Sequence, residues 1–325
     1  MILHTFFFLG FAFQQDGKGD FFFPAQASSF SASNDWLFYF ITILSAIFFI
    51  AIIGVMGYLI WKYHRSRCPE PQPSPSHSNT IEFIWSVIPT ILLAYIFWQG
   101  FLGYIDRQNP PPDAYVVHAQ GQKWSWTFKY PDGTESNVLH LPINRPIKMT
   151  LGSNDVLHDL FIPAFRAKMD AVPGRITSMW FTPTMEGEFD IFCAEYCGTE
   201  HSSMITKARV QSQAEFDAWL KEAGDFISKL PPVEAGQRVF AMKGCAACHS
   251  VDGAEGIGPT FKGAFGASRS LTDGSSVIMD YDYVYESLME PQTKIREGFQ
   301  PVMPTFQGQL DDEQIRVLVE YLKTL

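Results

Sequence analysis

The apolar residues of this chain are pooled rather than spread. Trp36 to Trp61 is a run of 26 residues without a single Asp, Glu, Lys, Arg or His. As a helix it would be roughly 39 Å long, more than the ~30 Å hydrocarbon core of a bilayer, so it predicts a tilted membrane span. Phe83 to Ile105 is a second uncharged run, of 23 residues, and Trp and Tyr stand near both ends of each run, where amphipathic rings prefer the headgroup level. Pro89, Gly54, Gly57, Gly100 and Gly103 are tolerable in membrane helices, where neighbouring groups re-satisfy freed backbone positions. Two buried helices of a soluble core would need charge-free stretches longer than soluble domains usually contain.

Between the runs, Lys62, Arg65 and Arg67 face one acid, Glu70, in a Pro- and Ser-rich linker. Basic residues beside a span are retained in the cytoplasm, which predicts that the N-terminus and everything after residue 105 lie outside. The first 13 residues, MILHTFFFLGFAF, form a short apolar block. It reads either as a signal peptide, with Ala25-Gln26-Ala27 as its cleavage site, or as a plain apolar tail. The organisation expected is an N-terminal segment over 1–35, a transmembrane hairpin over 36–105, an all-β sandwich over 106–230 and an all-α domain over 231–325.

After the hairpin the pattern changes to short apolar–polar alternations broken by turn residues such as Pro131-Asp132-Gly133. Such strands predict a β-sandwich or small barrel. The stretch closes on FDIFCAEYCGTEHSSM, which holds Cys193, Cys197, His201 and Met204, with His158 lying 35 residues before the first cysteine. Thiolates and thioethers select soft metals, and Cys with two His and a weak Met marks copper electron-transfer sites. A second thiolate four residues on allows two metals bridged by two sulfurs. A Cys193–Cys197 disulfide would explain two residues and leave the other three as coincidences; zinc sites rarely use Met.

The last hundred residues read differently again. After AEFDAWLKEAGDFISKL comes Pro231-Pro232, a plausible boundary, and then the pentamer Cys245-Ala246-Ala247-Cys248-His249. Cys-x-x-Cys-His is a c-type haem attachment site: two thioethers hold the porphyrin and the adjacent imidazole becomes the proximal iron ligand. A thioredoxin-like dithiol would follow a strand and lacks the extra His. The sixth ligand is sought among Met279, Met289 and Met303. Only Met303 sits in a turn-rich context, PVMPTF, which presents its thioether from a loop. Asp311 opens DDEQIRVLVEYLKTL, with acids first and apolar residues at helical spacing, predicting a terminal helix packed across the helix of residues 234–243.

Composition sharpens this picture. A mean hydropathy near zero is the average of a strongly apolar hairpin and two polar domains. The 24 basic against 34 acidic residues give a net charge of −10, the wrong sign for nucleic-acid binding. Four of the five cysteines have candidate roles; Cys68 is left over, on the cytoplasmic side by the topology above.

The pattern of His158 followed by Cys193-x-Glu195-x-Cys197-x-x-x-His201-x-x-Met204, after two spans, resembles subunit II of cytochrome c oxidase. The resemblance runs from residue 36 to about 225, through GQKWSW, SNDVLHDLFIPAF and the DAVPGR turn. It implies a cupredoxin-type sandwich carrying the dinuclear copper centre called CuA. Cys193 and Cys197 would bridge the coppers, His158 and His201 would bind one each, Met204 would serve one as a weak ligand and the Glu195 carbonyl the other. The Glu195 side chain matches a magnesium position shared with subunit I, and Trp124 the aromatic residue where external electrons enter. Lys123 stands where the family usually has Gln. Glu82 resembles the carboxylate at the mouth of a proton pathway, and equally reads as a charge anchoring its helix at the interface.

Residues 233 to 325 resemble a class I cytochrome c. That resemblance implies Met303 as axial ligand and Pro259, in GIGPTFKG, as the carbonyl that accepts the hydrogen bond of His249. Together the resemblances imply the electron-input subunit of a haem-copper terminal oxidase in a bacterial cytoplasmic membrane. Electrons would pass from an external donor to haem c, then to CuA, then to oxidase subunit I, where oxygen is reduced and protons are pumped. The competing function is a membrane-tethered shuttle serving another periplasmic reductase.

Overall fold

The computed structural model describes residues 19–325 apart from 71, 72, 74, 225 and 255; the apolar block at 1–13 lies outside the described residues. The described residues fall into two compact units, one within 30–110 and one of residues 19–29 with 111–325.

The first unit is a pair of long helices, α1 (Ser31–Lys62) and α2 (Asn79–Gln108). Both run a few residues past the uncharged runs. Near one end Arg107 donates to Asn34 Oδ1 at 3.2 Å, and Tyr95 meets Trp36 and Phe40 edge-on. Large side chains on the rest of the surface, Ile50 and Phe97 among them, stay about two-thirds exposed. Both helices are long and apolar enough to cross a membrane.

In the second unit ten strands build the sandwich: β1 (Tyr115–Gln122), β2 (Ser125–Lys129), β3 (Glu135–Ser136), β4 (Leu139–Pro142), β5 (Ile147–Ser153), β6 (His158–Ile162), β7 (Ala167–Ala171), β8 (Thr177–Phe181), β9 (Gly187–Cys193) and β10 (Ile205–Gln211). They form two five-stranded sheets, in the orders β3-β2-β1-β5-β8 and β4-β10-β9-β6-β7. Period-2 burial along β1 and β5 points Val117, Ala119, Ile147, Met149 and Leu151 inward, where they are fully buried with Trp126, Phe128, Leu160 and Phe181. Two pairings, β1 with β5 and β4 with β10, are parallel; the rest are antiparallel. The candidate cleavage motif lies on this sandwich: Ala27 donates to the Ala164 carbonyl at 3.0 Å, and Arg166 reaches the Pro24 and Ala25 carbonyls.

Helix α3 (Gln213–Ala223) follows, started by a Ser212/Glu215 capping box. The short α4 (Phe226–Lys229) leads to α5 (Pro232–Met242), a small hairpin of β11 (Ser268–Ser270) and β12 (Ser276–Ile278), α6 (Tyr281–Met289) and α7 (Asp312–Leu322). Helix α7 crosses α5 where Gly236 offers no side chain; a Cβ there would run into the Val317 carbonyl. The crossing buries Val239, Phe240, Ile315, Leu318 and Leu322 in one core with Leu288 of α6.

Candidate metal and haem sites

The metal site is assembled by strand ends. Cys193 ends β9 and pairs across the sheet with Leu160, two residues into β6, so His158 at the start of β6 falls beside the loop that follows Cys193. That loop turns back through Gly198 (φ +123°) and a short 3-10 turn at His201–Ser203. Its end is stitched to its start where Cys193 N donates to the Met204 carbonyl at 3.2 Å.

Five side-chain donors and one backbone carbonyl converge. The two sulfurs of Cys193 and Cys197 lie 3.8 Å apart, both thiols free. His158 Nδ1 is 3.8 Å from the first and His201 Nδ1 3.5 Å from the second, while Met204 Sδ is 3.8 Å from Cys197 Sγ and the Glu195 carbonyl 3.2 Å from Cys193 Sγ. Ligand atoms of His158, Cys193 and Cys197 all fall within 4.8 Å of one another, and all three residues are buried. Burial works against the Cys193 thiolate, but His158 and the backbone about Asp159 and Glu195 outweigh it and bring the thiol down to about 7. Burial and the neighbouring Cys193 charge push Cys197 up to about 12. Ionising both thiols in this pocket sets two negative charges side by side, a repulsion that a bound cation would relieve. The donor set, with two sulfurs, two imidazoles and a thioether, fits copper.

One residue at this site was not legible from spacing. Asp155 accepts from His158 Nε2 at 2.9 Å, which turns Nδ1 toward the cysteines. Burial works against the His158 cation, yet Asp155 and Cys193 hold its pKa above the ordinary value. The other oxygen of Asp155 accepts from Lys123 N at 2.8 Å. Trp124, next to Lys123, is only 7% exposed, and its indole lies against Gly198, where a Cβ would stand 3.1 Å from Cζ2. The Glu195 side chain is exposed, outside the cluster. Glu82, in the other unit, caps its own helix: Ser78 N donates to Oε1 at 3.2 Å.

The Cys-x-x-Cys-His pentamer opens on a largely apolar cavity. Cys245, Cys248, His249, Met279 and Met303 line it; Met289 does not. His249 Nδ1 donates to the Pro259 carbonyl at 2.8 Å, leaving Nε2 as the free lone pair. Burial lowers the His249 pKa against that bond, so the imidazole is neutral, the form a metal needs. Gly258 makes room for the ring: a Cβ would stand 2.6 Å from His249 Cε1. Burial pushes the Cys245 thiol up to about 12 and raises Cys248 as well, the opposite of a reactive dithiol.

Two cations on the cavity wall were also missed. Arg269 has a buried Nε with no hydrogen-bond partner, and Arg296 lies near enough that burial and the Arg269 charge lower its pKa. Neighbouring guanidinium groups beside an apolar cavity fit the paired carboxylates of a haem.

Comparison with known proteins finds three family matches along the chain. Family profiles match for the transmembrane domain of cytochrome c oxidase subunit II over residues 17–102, its periplasmic domain over 134–210, and cytochrome c over 233–325. An alternative cytochrome c oxidase subunit 2 of Bradyrhizobium diazoefficiens is 32% identical over 55% of this chain and 76% of its own. Cytochrome c oxidase subunit 2 of Alkalihalophilus pseudofirmus is 28% identical over 87% and 84%. The crystal structure of the periplasmic domain of cytochrome oxidase subunit II from Bradyrhizobium japonicum is 31% identical, covering 35% of this chain and 96% of that one, with a TM-score of 0.34.

Proposed function

Because the chain belongs to the cytochrome c oxidase subunit II family and ends in a cytochrome c domain, we propose that it is the electron-input subunit of a haem-copper terminal oxidase. Family membership makes it a membrane-bound component of an oxidoreductase with a copper centre and a haem. The finer assignments are our reading. When bound, the two cofactors supply reversible one-electron chemistry and nothing more. Cys193, Cys197, His158, His201, Met204 and the Glu195 carbonyl would hold the copper centre. Cys245, Cys248, His249 and Met303 would hold the haem.

The work of this chain's residues is to keep those ligands still. Asp155 orients His158, Pro259 orients His249, and buried surroundings exclude water, so little reorganises when charge changes. Holding the two groups in one chain, these residues would link an external donor, on the haem-domain side, to subunit I, on the copper side, where oxygen reduction and proton pumping take place. The hairpin docks on subunit I, the cofactor domains face the periplasm of a bacterial cytoplasmic membrane, the Glu195 carboxylate contributes to a shared magnesium site, and Glu82 stands at a proton-pathway mouth.

The observation that carries this reading is the convergence of five soft donors in the unit that also holds the Cys-x-x-Cys-His motif. Mild-detergent purification from native membranes tests it. A large haem-bearing membrane subunit should co-purify and give oxygen uptake with reduced cytochrome. Purification of this chain with a different reductase would replace the oxidase by the shuttle.

A further inference from the structure

The haem-binding and metal-binding domains meet along a seam that neither cofactor requires. Lys243, two residues before Cys245, is only 7% exposed although it is a cation. Its ammonium bonds the Glu135 carboxylate of β3 at 2.5 Å and the Gln309 carbonyl at 2.6 Å. A lysine buried this deeply needs such partners, and one of the two belongs to the other domain. Gly244 follows with φ +69°, and a Cβ on it would stand 2.5 Å from Ser125 Oγ and 2.6 Å from Ser125 Cβ. Ser125 opens β2 directly after Trp124. Lys123, on the other side of Trp124, forms part of the haem-cavity wall. The Glu200 carboxylate, in the metal loop, lies near enough to Cys248 that its charge adds to burial in raising that thiol.

We propose that Lys243 and Gly244 are positioning residues: the ion pair with Glu135 and the glycine notch that receives Ser125 lock the haem domain onto the hairpin carrying Trp124. Locked there, the domain covers Trp124 and leaves a contact route from the haem cavity through Lys123 and Trp124 to Gly198, the neighbour of Cys197. Asp155 ties the same Lys123 backbone to His158. Trp124 is then approached by this chain's own haem rather than by a separate donor, and the external donor's landing surface lies on the haem domain. The haem domain is a fixed relay, not a swinging one. This deepens the electron order proposed above and rests on it.

The test uses the full-length chain, loaded with haem and copper, within its oxidase complex. Two substitutions act from the metal-binding side without touching a ligand: Glu135→Lys sets a cation against Lys243, and Ser125→Leu fills the notch. Hydroxyl-radical labelling read by mass spectrometry reports the exposure of Trp124; light-triggered haem-to-copper transfer reports the route. A lost charge-assisted bond shifts docking by roughly tenfold or more, and charge reversal shifts it further. Trp124 labelling should therefore rise, and transfer should slow by about tenfold in both variants, while haem and copper midpoint potentials stay unchanged. A simple loss of fold would move those potentials and spectra. Equal protection of Trp124 in wild type and both variants overturns the lock. Exposed Trp124 with undiminished transfer overturns the positioning role and the electron order with it, leaving only a structural contact.

Discussion

Gly258→Ala is the sharpest single-atom probe of the haem site. The backbone at 258 lies outside the left-handed region, so alanine tests space alone. The new Cβ would stand 2.6 Å from His249 Cε1 and 2.8 Å from Nδ1, where ordinary contact begins at 3.4 Å, so the ring must yield by about 0.8 Å. Phe261 packs on the same ring with centroids 4.6 Å apart, and the 2.8 Å bond to the Pro259 carbonyl fixes its tilt. Overpacking costs about 1–3 kcal/mol and the strained hydrogen bond about 0.5–1.5 kcal/mol more. Replacing glycine returns about 0.4–1 kcal/mol through a less flexible unfolded chain. A net loss of about 2 kcal/mol remains, roughly 30-fold in the folding equilibrium. Guanidinium unfolding of the loaded chain in detergent, followed in the Soret band, reads this domain by itself, and the copper band serves as internal reference. A Soret midpoint shifted by less than about 0.5 kcal/mol, with unchanged axial-ligand absorption, would refute the packing argument.

Met303→Ala should lower the haem midpoint potential and open the iron to added ligands, whereas Met279→Leu should do neither; an unchanged Met303→Ala spectrum would move the ligand to Met279. The stability of the metal-binding domain should fall in mild acid through His140, which stacks on Trp219 at 3.8 Å and whose pKa is lowered by burial against its bond to Gln211. Its contribution is complete above the unfolded value of about 6.5 and is lost as pH falls from there through the depressed folded value, because the unfolded chain takes up a proton that the folded one resists. Denaturation midpoints from pH 8 to 5 check this; the same slope in His140→Gln would remove the assignment.

Much of the molecule was legible because its chemistry is local. The candidate spans announce themselves by charge-free length, the pentamer by its adjacent Cys and His, and the metal loop by four candidate ligands within twelve residues. What stayed hidden is what joins distant positions. Alternation along β1 and β5 gives faces, not partners, so their parallel pairing could not be read. Asp155 carries no signal of its own in the sequence, and only the fold turns it toward His158. Lys243 and Glu135, 108 positions apart, each look like solvated charges in the sequence and become a buried pair only when two domains meet. The choice among three methionines narrows to two because Met279 and Met303 line the cavity and Met289, on α6, does not.

The most direct test of two electron carriers in one chain is the paired spectrum of Cys197→Ser. With this sulfur replaced, the near-infrared copper band should vanish and bound copper should fall, while the Soret band expected from a haem on Cys245 and Cys248 persists at full intensity. A variant that keeps its near-infrared band and its copper alongside an unaltered haem would contradict the assignment of Cys197 as a bridging ligand, and with it the copper centre on which the electron path depends.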